Sequence, residues 1–69
     1  MTNDELKEAL ISRKAVIFTT NDGTEIHCRY VSAIVYRANN GKIAVSAELI
    51  DSNGKCLYNS KPKQIRFEV

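Results

Sequence analysis

The stretch "TEIHCRYVSAIVYR", Thr24–Arg37, decides how the chain folds. Successive side chains of a strand point to opposite faces. The even positions Ile26, Cys28, Tyr30, Ile34 and Tyr36 are apolar along most of the length. The odd positions change character: Glu25, His27 and Arg29 are polar, and Val31, Ala33 and Val35 are apolar. Such a strand is wet on one face at one end and covered on both faces at the other. At about 14 residues it is long for a strand, and it is expected to bend at the small pair Ser32-Ala33. Alternation also splits "HCRY". Cys28 and Tyr30 are expected inward as core, and Glu25, His27 and Arg29 outward as a surface trio.

Four more strand-like runs surround this one. "AVIFTT" precedes it, before the turn signal "NDG". "KIAVSAELI" follows "ANNGK", "KCLYNS" follows "DSNGK", and "QIRFEV" follows "KPK". The expected strands cover 15–20, 24–37, 42–51, 55–60 and 64–69. Connections this short leave no room for a crossover, so neighbouring strands must be antiparallel. With Asn40-Gly41 as a two-residue type I′ turn, Tyr36 faces Val45, Ile34 faces Ala47 and Ser32 faces Leu49. A helix over 3–12 comes first. Thr2 and Glu5 fit a capping box, with Met1 and Leu6 at the staple positions. Leu6, Ala9 and Leu10 give a narrow apolar stripe, with Ile11 at its edge, so the helix reads as a lid on the sheet.

The expected fold class is mainly β (α+β): an N-terminal helix and a five-stranded antiparallel meander closing as a small barrel. A helix followed by five strands, with a long bent second strand, resembles the SH3-like small barrels, particularly the Sm-like variant. "DGTEIHCRYVSAI" is similar to the Sm-type opening, in which a turn Asp-Gly precedes a strand. The resemblance implies a fold rather than a ligand. The loop "YRANNGK" carries no match to the residues that bind RNA bases in that family.

Size and composition bound the rest. At 69 residues, the chain reads as a single domain, 1–69. A hydrophobic fraction of 43% and a charged fraction of 26% are ordinary for a globular domain. No apolar run approaches the roughly 20 residues a membrane-spanning helix needs. "MTNDELKEAL" is polar and acidic, unlike a signal peptide, so the expected location is the cytoplasm. Two cysteines are too few for a disulfide-stapled scaffold. Residues 1–35 carry four Lys/Arg against five Asp/Glu, and residues 36–69 carry six against three. The second half is the basic one, though far from a nucleic-acid-binding arm.

The chemistry on offer is sparse. Zinc wants about four Cys, His or carboxylate ligands. His27 and Cys28, being adjacent, point to opposite faces, and Cys56 lies two strands away, nearly 10 Å in a flat sheet. That distance also exceeds the reach of a disulfide, about 7 Å between Cα atoms. An inward Cys28 is shielded from His27, no carboxylates pair, and each glycine sits in a separate turn. Neither an enzyme nor a cofactor or metal site is therefore expected. Two binding classes stay open. The first is a protein partner or self-association, which would cover the end of the second strand where both faces are apolar. The second is single-stranded nucleic acid, held by basic residues with tyrosines for stacking. The candidate surface comprises Glu25, His27, Arg29, Arg37, Lys42, Lys61 and Lys63.

Overall fold

In the computed structural model, which describes residues 1–68, helix α1 spans Asn3–Ser12. Local chemistry starts it. Thr2 Oγ1 accepts the Glu5 N–H at 3.2 Å, and Glu5 Oε1 accepts the Thr2 N–H at 2.9 Å. Arg13 ends it in the left-handed conformation at φ 56°, its N–H donating to the Ala9 carbonyl. Leu6 and Ala9 are buried, whereas Ile11 is 83% exposed, so the apolar stripe is as narrow as its spacing implies.

Five strands follow: β1 Val16–Thr19, β2 Glu25–Asn39, β3 Lys42–Asp51, β4 Cys56–Ser60 and β5 Ile65–Phe67. They form one antiparallel sheet in the order β4-β3-β2-β1-β5. The last strand is shorter than the expected 64–69. Glu68 lies past its end, and Val69 is outside the described residues.

Two expectations are corrected here, the simple meander and the closed barrel. β5 pairs with β1 instead of β4, and among the described residues no pairing joins β4 to β5, so the sheet is open. Pro62 supplies the reason. It lacks an N–H and its φ is fixed, so it cannot extend β4; it opens a 3₁₀ turn, Pro62–Gln64. That turn carries the chain from the β3 side of the sheet to the β1 side. Gln64 Nε2 anchors it to the Thr19 carbonyl and to Asn21 Oδ1, each at 3.0 Å. The Met1 ammonium donates to the carbonyls of Pro62 at 2.6 Å and Ile65 at 3.2 Å, tying the turn to the start of α1.

The β2–β3 hairpin turns at Asn40 and Gly41, both at positive φ (50° and 77°), as a type I′ turn requires. Tyr36 pairs with Val45 and Ile34 with Ala47, as the turn dictates. The pairing then departs from the simple register. Val31, not Ser32, faces Leu49, and Ala33 faces Glu48, leaving Ser32 as an extra residue. Its hydroxyl donates to the Glu48 carbonyl at 3.1 Å. A second irregularity leaves Arg29 extra, between the pairs Cys28–Asp51 and Tyr30–Ile50. Each bulge moves the following side chains to the other face. The inward series becomes Ile26, Cys28, Val31, Ile34. Tyr30, expected in the core, is turned out of it and only half-buried, with the Arg13 guanidinium 4.7 Å from its ring centroid. Val31 takes the core position instead.

The core lies between α1 and the inner face of the sheet. Leu6 and Ala9 meet Val16, Cys28, Val31, Ala47, Leu49 and Ile65. Ser60 is buried there too, its hydroxyl donating to the Leu57 carbonyl at 3.4 Å. No described helix is long and apolar enough to cross a membrane.

Two measurements check this packing. Leu49→Ala is expected to cost ~2–5 kcal/mol in a denaturant titration, whereas Ile11→Ala should stay within ~0.5 kcal/mol. The second concerns the β1–β2 turn. There the Thr20 hydroxyl donates to the Asp22 carboxylate, which also accepts the Thr24 N–H at 3.1 Å. These donors favour the charged form and bring the carboxyl from 3.8 down to about 2. A depressed carboxylate stabilises the fold above its unfolded pKa, and that contribution is lost as pH falls from 3.8 through about 2. The Asp22 carboxyl carbon is therefore expected to titrate near 2 by NMR, and Thr20→Ala to raise that midpoint.

Candidate functional site

The expected outward trio begins on the face of the sheet opposite α1. There β1 presents Ile17, which pairs with His27 of β2 on one side and Arg66 of β5 on the other. Ile17 faces away from the core, yet it is only 7% exposed. Two charged pairs reach across β1 and roof it. Arg66 Nη2 donates to Glu25 Oε2 at 2.6 Å, and His27 Nδ1 lies 2.5 Å from Glu68 Oε1. Arg29, on its bulge, instead donates through Nη2 to the Ser52 carbonyl at 2.7 Å. The structure thus brings Glu25, His27 and Arg29 together as a neighbourhood whose side chains are already engaged with protein groups.

Arg66 and Glu68 complete this roof; sequence reasoning offers Arg66 only as one of the chain's basic residues and misses Glu68. Alternation in "QIRFEV" puts them on one face, but only the β1–β5 pairing places that face beside His27. Two shallow clefts border the roof. One, about 340 Å³, lies between Glu8, Lys14, Ala15, Phe67 and Glu68. The other, about 220 Å³, is lined by Ala15, His27, Cys28, Arg29, Ser52 and Glu68.

What this corner can do chemically is limited. His27 is engaged with Glu68, and among the described residues no hydrogen bond joins it to a serine, threonine or cysteine side chain. Burial, with help from the Asp51 charge, pushes the Cys28 thiol up. It therefore stays protonated, and its Sγ sits 3.7 Å from the Ile26 carbonyl. Cys28 and Cys56 are both free thiols on strands that flank β3. Among the described residues no cluster of three His, Cys, Asp or Glu is placed to hold a metal ion.

The remaining candidates lie elsewhere. Arg37 and Lys42 share the outer face near the hairpin tip, since Arg37 pairs with Ala44 and Asn39 with Lys42. Lys61 precedes the 3₁₀ turn and Lys63 lies within it. The seven residues therefore fall into three groups instead of one surface.

The hairpin also exposes apolar side chains. β1 pairs with β2 only as far as Cys28, and β4 pairs with β3 only from Ala47. Beyond those points Val35–Asn39 and Lys42–Ser46 pair with each other alone. They make a two-stranded ribbon with both outer edges unpaired. Its inner face, continuing from Ile34, carries Tyr36, Ala38, Ile43 and Val45. Ile34 and Val45 still reach the core, whereas Tyr36 is 50% and Ile43 72% exposed.

No protein-family model, no curated protein and no solved structure matches this chain.

The Glu25–Arg66 pair is half-exposed on both sides, so water and salt screen it. A Glu25→Ala, Arg66→Ala double-mutant cycle is expected to give a coupling of ~1 kcal/mol or less, shrinking as salt rises. A coupling well above that would mean the roof is a structural clamp.

Proposed function

We propose that this chain is a non-enzymatic interaction module that engages a protein surface through the β2–β3 ribbon. One observation carries the reading: the ribbon runs past the core with unpaired edges and leaves Tyr36 and Ile43 in water. Exposed apolar side chains grouped on one face are a signature of docking surfaces, where tyrosine is enriched. An unpaired strand edge adds main-chain hydrogen bonds to such a contact. The engaged side chains of the charged roof and the shielded thiol favour binding over catalysis. The same reading takes the architecture as an open relative of the SH3-like small barrels of the Sm-like kind. The leading helix and the long bulged β2 support it.

A second reading, single-stranded nucleic acid, has an observation of its own. Tyr36 and Tyr58 are both exposed, at 50% and 69%, and can stack on bases. Arg37, Lys42, Lys61 and Lys63 form no ion pair among the described residues.

The readings separate experimentally. Ile43→Lys is expected to keep its circular dichroism and to lose the protein partner that the wild-type chain retains on a column. Equal retention by both chains would remove the ribbon from the reading. Binding of a mixed single-stranded RNA pool at low salt, lost steeply as salt rises, would favour nucleic acid instead.

A further inference from the structure

We infer that the ribbon's partner is a second copy of this chain, joined edge to edge along β2; the inference rests on the interaction-module reading. The free edges differ in what they offer. β4 is blunted: Tyr58 and Asn59 together oppose Glu48, and Asn59 sits at φ 58°. β5 has three residues and follows Pro62. The outer edge of β3 is free only over Lys42–Ser46 and runs into the Ala47–Ser60 pair. The outer edge of β2 is unpaired from Arg29 onward; between Ala33 and Ala38 it carries no proline or bulge, and its one charge, Arg37, stands on the outer face. Proline and bulges are devices that ordinarily protect an edge from pairing.

The hairpin sets which backbone groups face outward. In a two-residue turn the closing pair, here Asn39 and Lys42, exchanges hydrogen bonds. Alternation then turns the N–H and C=O of Ala38, Tyr36 and Ile34 away from β3, towards open solvent. The same residues carry the ribbon's inner, apolar face.

The segment around Val35 is self-complementary. An antiparallel copy related by a two-fold axis at Val35 sets Ile34 against the second copy's Tyr36, and Tyr36 against its Ile34. These aromatic–β-branched pairs are favourable cross-strand neighbours. On the outer face Val35 meets its own counterpart, and Arg37 meets Ala33, so no charge opposes a like charge. Such an isologous contact is closed, and it joins two ribbons into four strands with one shared apolar face. The exposed Tyr36 side chains become central in it.

Sedimentation equilibrium from micromolar to millimolar concentration tests the pairing. The wild-type chain is expected to pass from one to two chains in mass. Tyr36→Lys should weaken association by about tenfold or more, a change of roughly 1.4 kcal/mol per decade. Ile11→Lys, the same charge change on the exposed side of α1, should leave it unmoved. In a Cys56→Ser background, Val35→Cys is expected to form a disulfide-linked dimer on mild oxidation, while Ser46→Cys does not. A wild-type chain that stays monomeric throughout overturns the self-pairing and leaves the module reading to its own column test. So does a monomer that takes up an unrelated extended peptide along β2. A dimer indifferent to Tyr36→Lys and without the Val35→Cys crosslink overturns this edge while the module reading stands.

Discussion

Backbone alternation in β2 is the constraint on which the rest depends. A regular strand sends neighbours to opposite faces, and a run as apolar as "VSAIVY" then needs cover on both. The two extra residues, Arg29 and Ser32, resolve most of this conflict. The first bulge brings Val31 to the face of Cys28, and the second restores the original parity for Ile34. Small cores cannot leave valine-sized positions empty without measurable loss of stability. The bulges let one strand contribute to the same core from Ile26 to Ile34, and they bend it there.

The two ends of β2 meet different environments as a result. At its start, β1 and β5 lie alongside, and side chains from β2 and β5 close over Ile17. The polar groups there are spent on one another: Glu25 on Arg66, His27 on Glu68, Arg29 on a carbonyl. At its far end only β3 accompanies it, so apolar side chains and backbone edge groups are both in water. Exposed apolar side chains and free backbone edge groups coincide where the sheet is thinnest, and the proposed contact is placed there instead of at the corner with His27.

Local signals were legible and long-range ones were not. Thr2 and Glu5 lie three residues apart and defined the helix start, because the capping box is complete within one turn. Asn40-Gly41 fixed the hairpin register for the pairs nearest to it. The reading failed first at Ser32, where nothing in a single sequence distinguishes a bend from an inserted residue. The error then carried over to Tyr30 and Val31, since parity propagates along a strand. The partners of Glu25 and His27 were out of reach for another reason. They lie 41 residues away, and only the β1–β5 pairing brings them near. A break in the strand at "KPK" is local to Pro62; that it transfers the chain to the opposite side of the sheet depends on anchors at Thr19, Asn21 and Met1.

The β1–β5 pairing also has a consequence for the order of assembly. The β2–β3 hairpin closes a two-residue turn and can form on a microsecond timescale. Val16 and Phe67, by contrast, are partners separated by most of the chain, and closing so long a loop is entropically unfavourable until intervening structure has formed. Pairing of such distant strands slows folding. β5 is thus expected to dock after the other strands have gathered, and to be among the first elements to leave. The ribbon, being local, would then be presented before the domain behind it is complete.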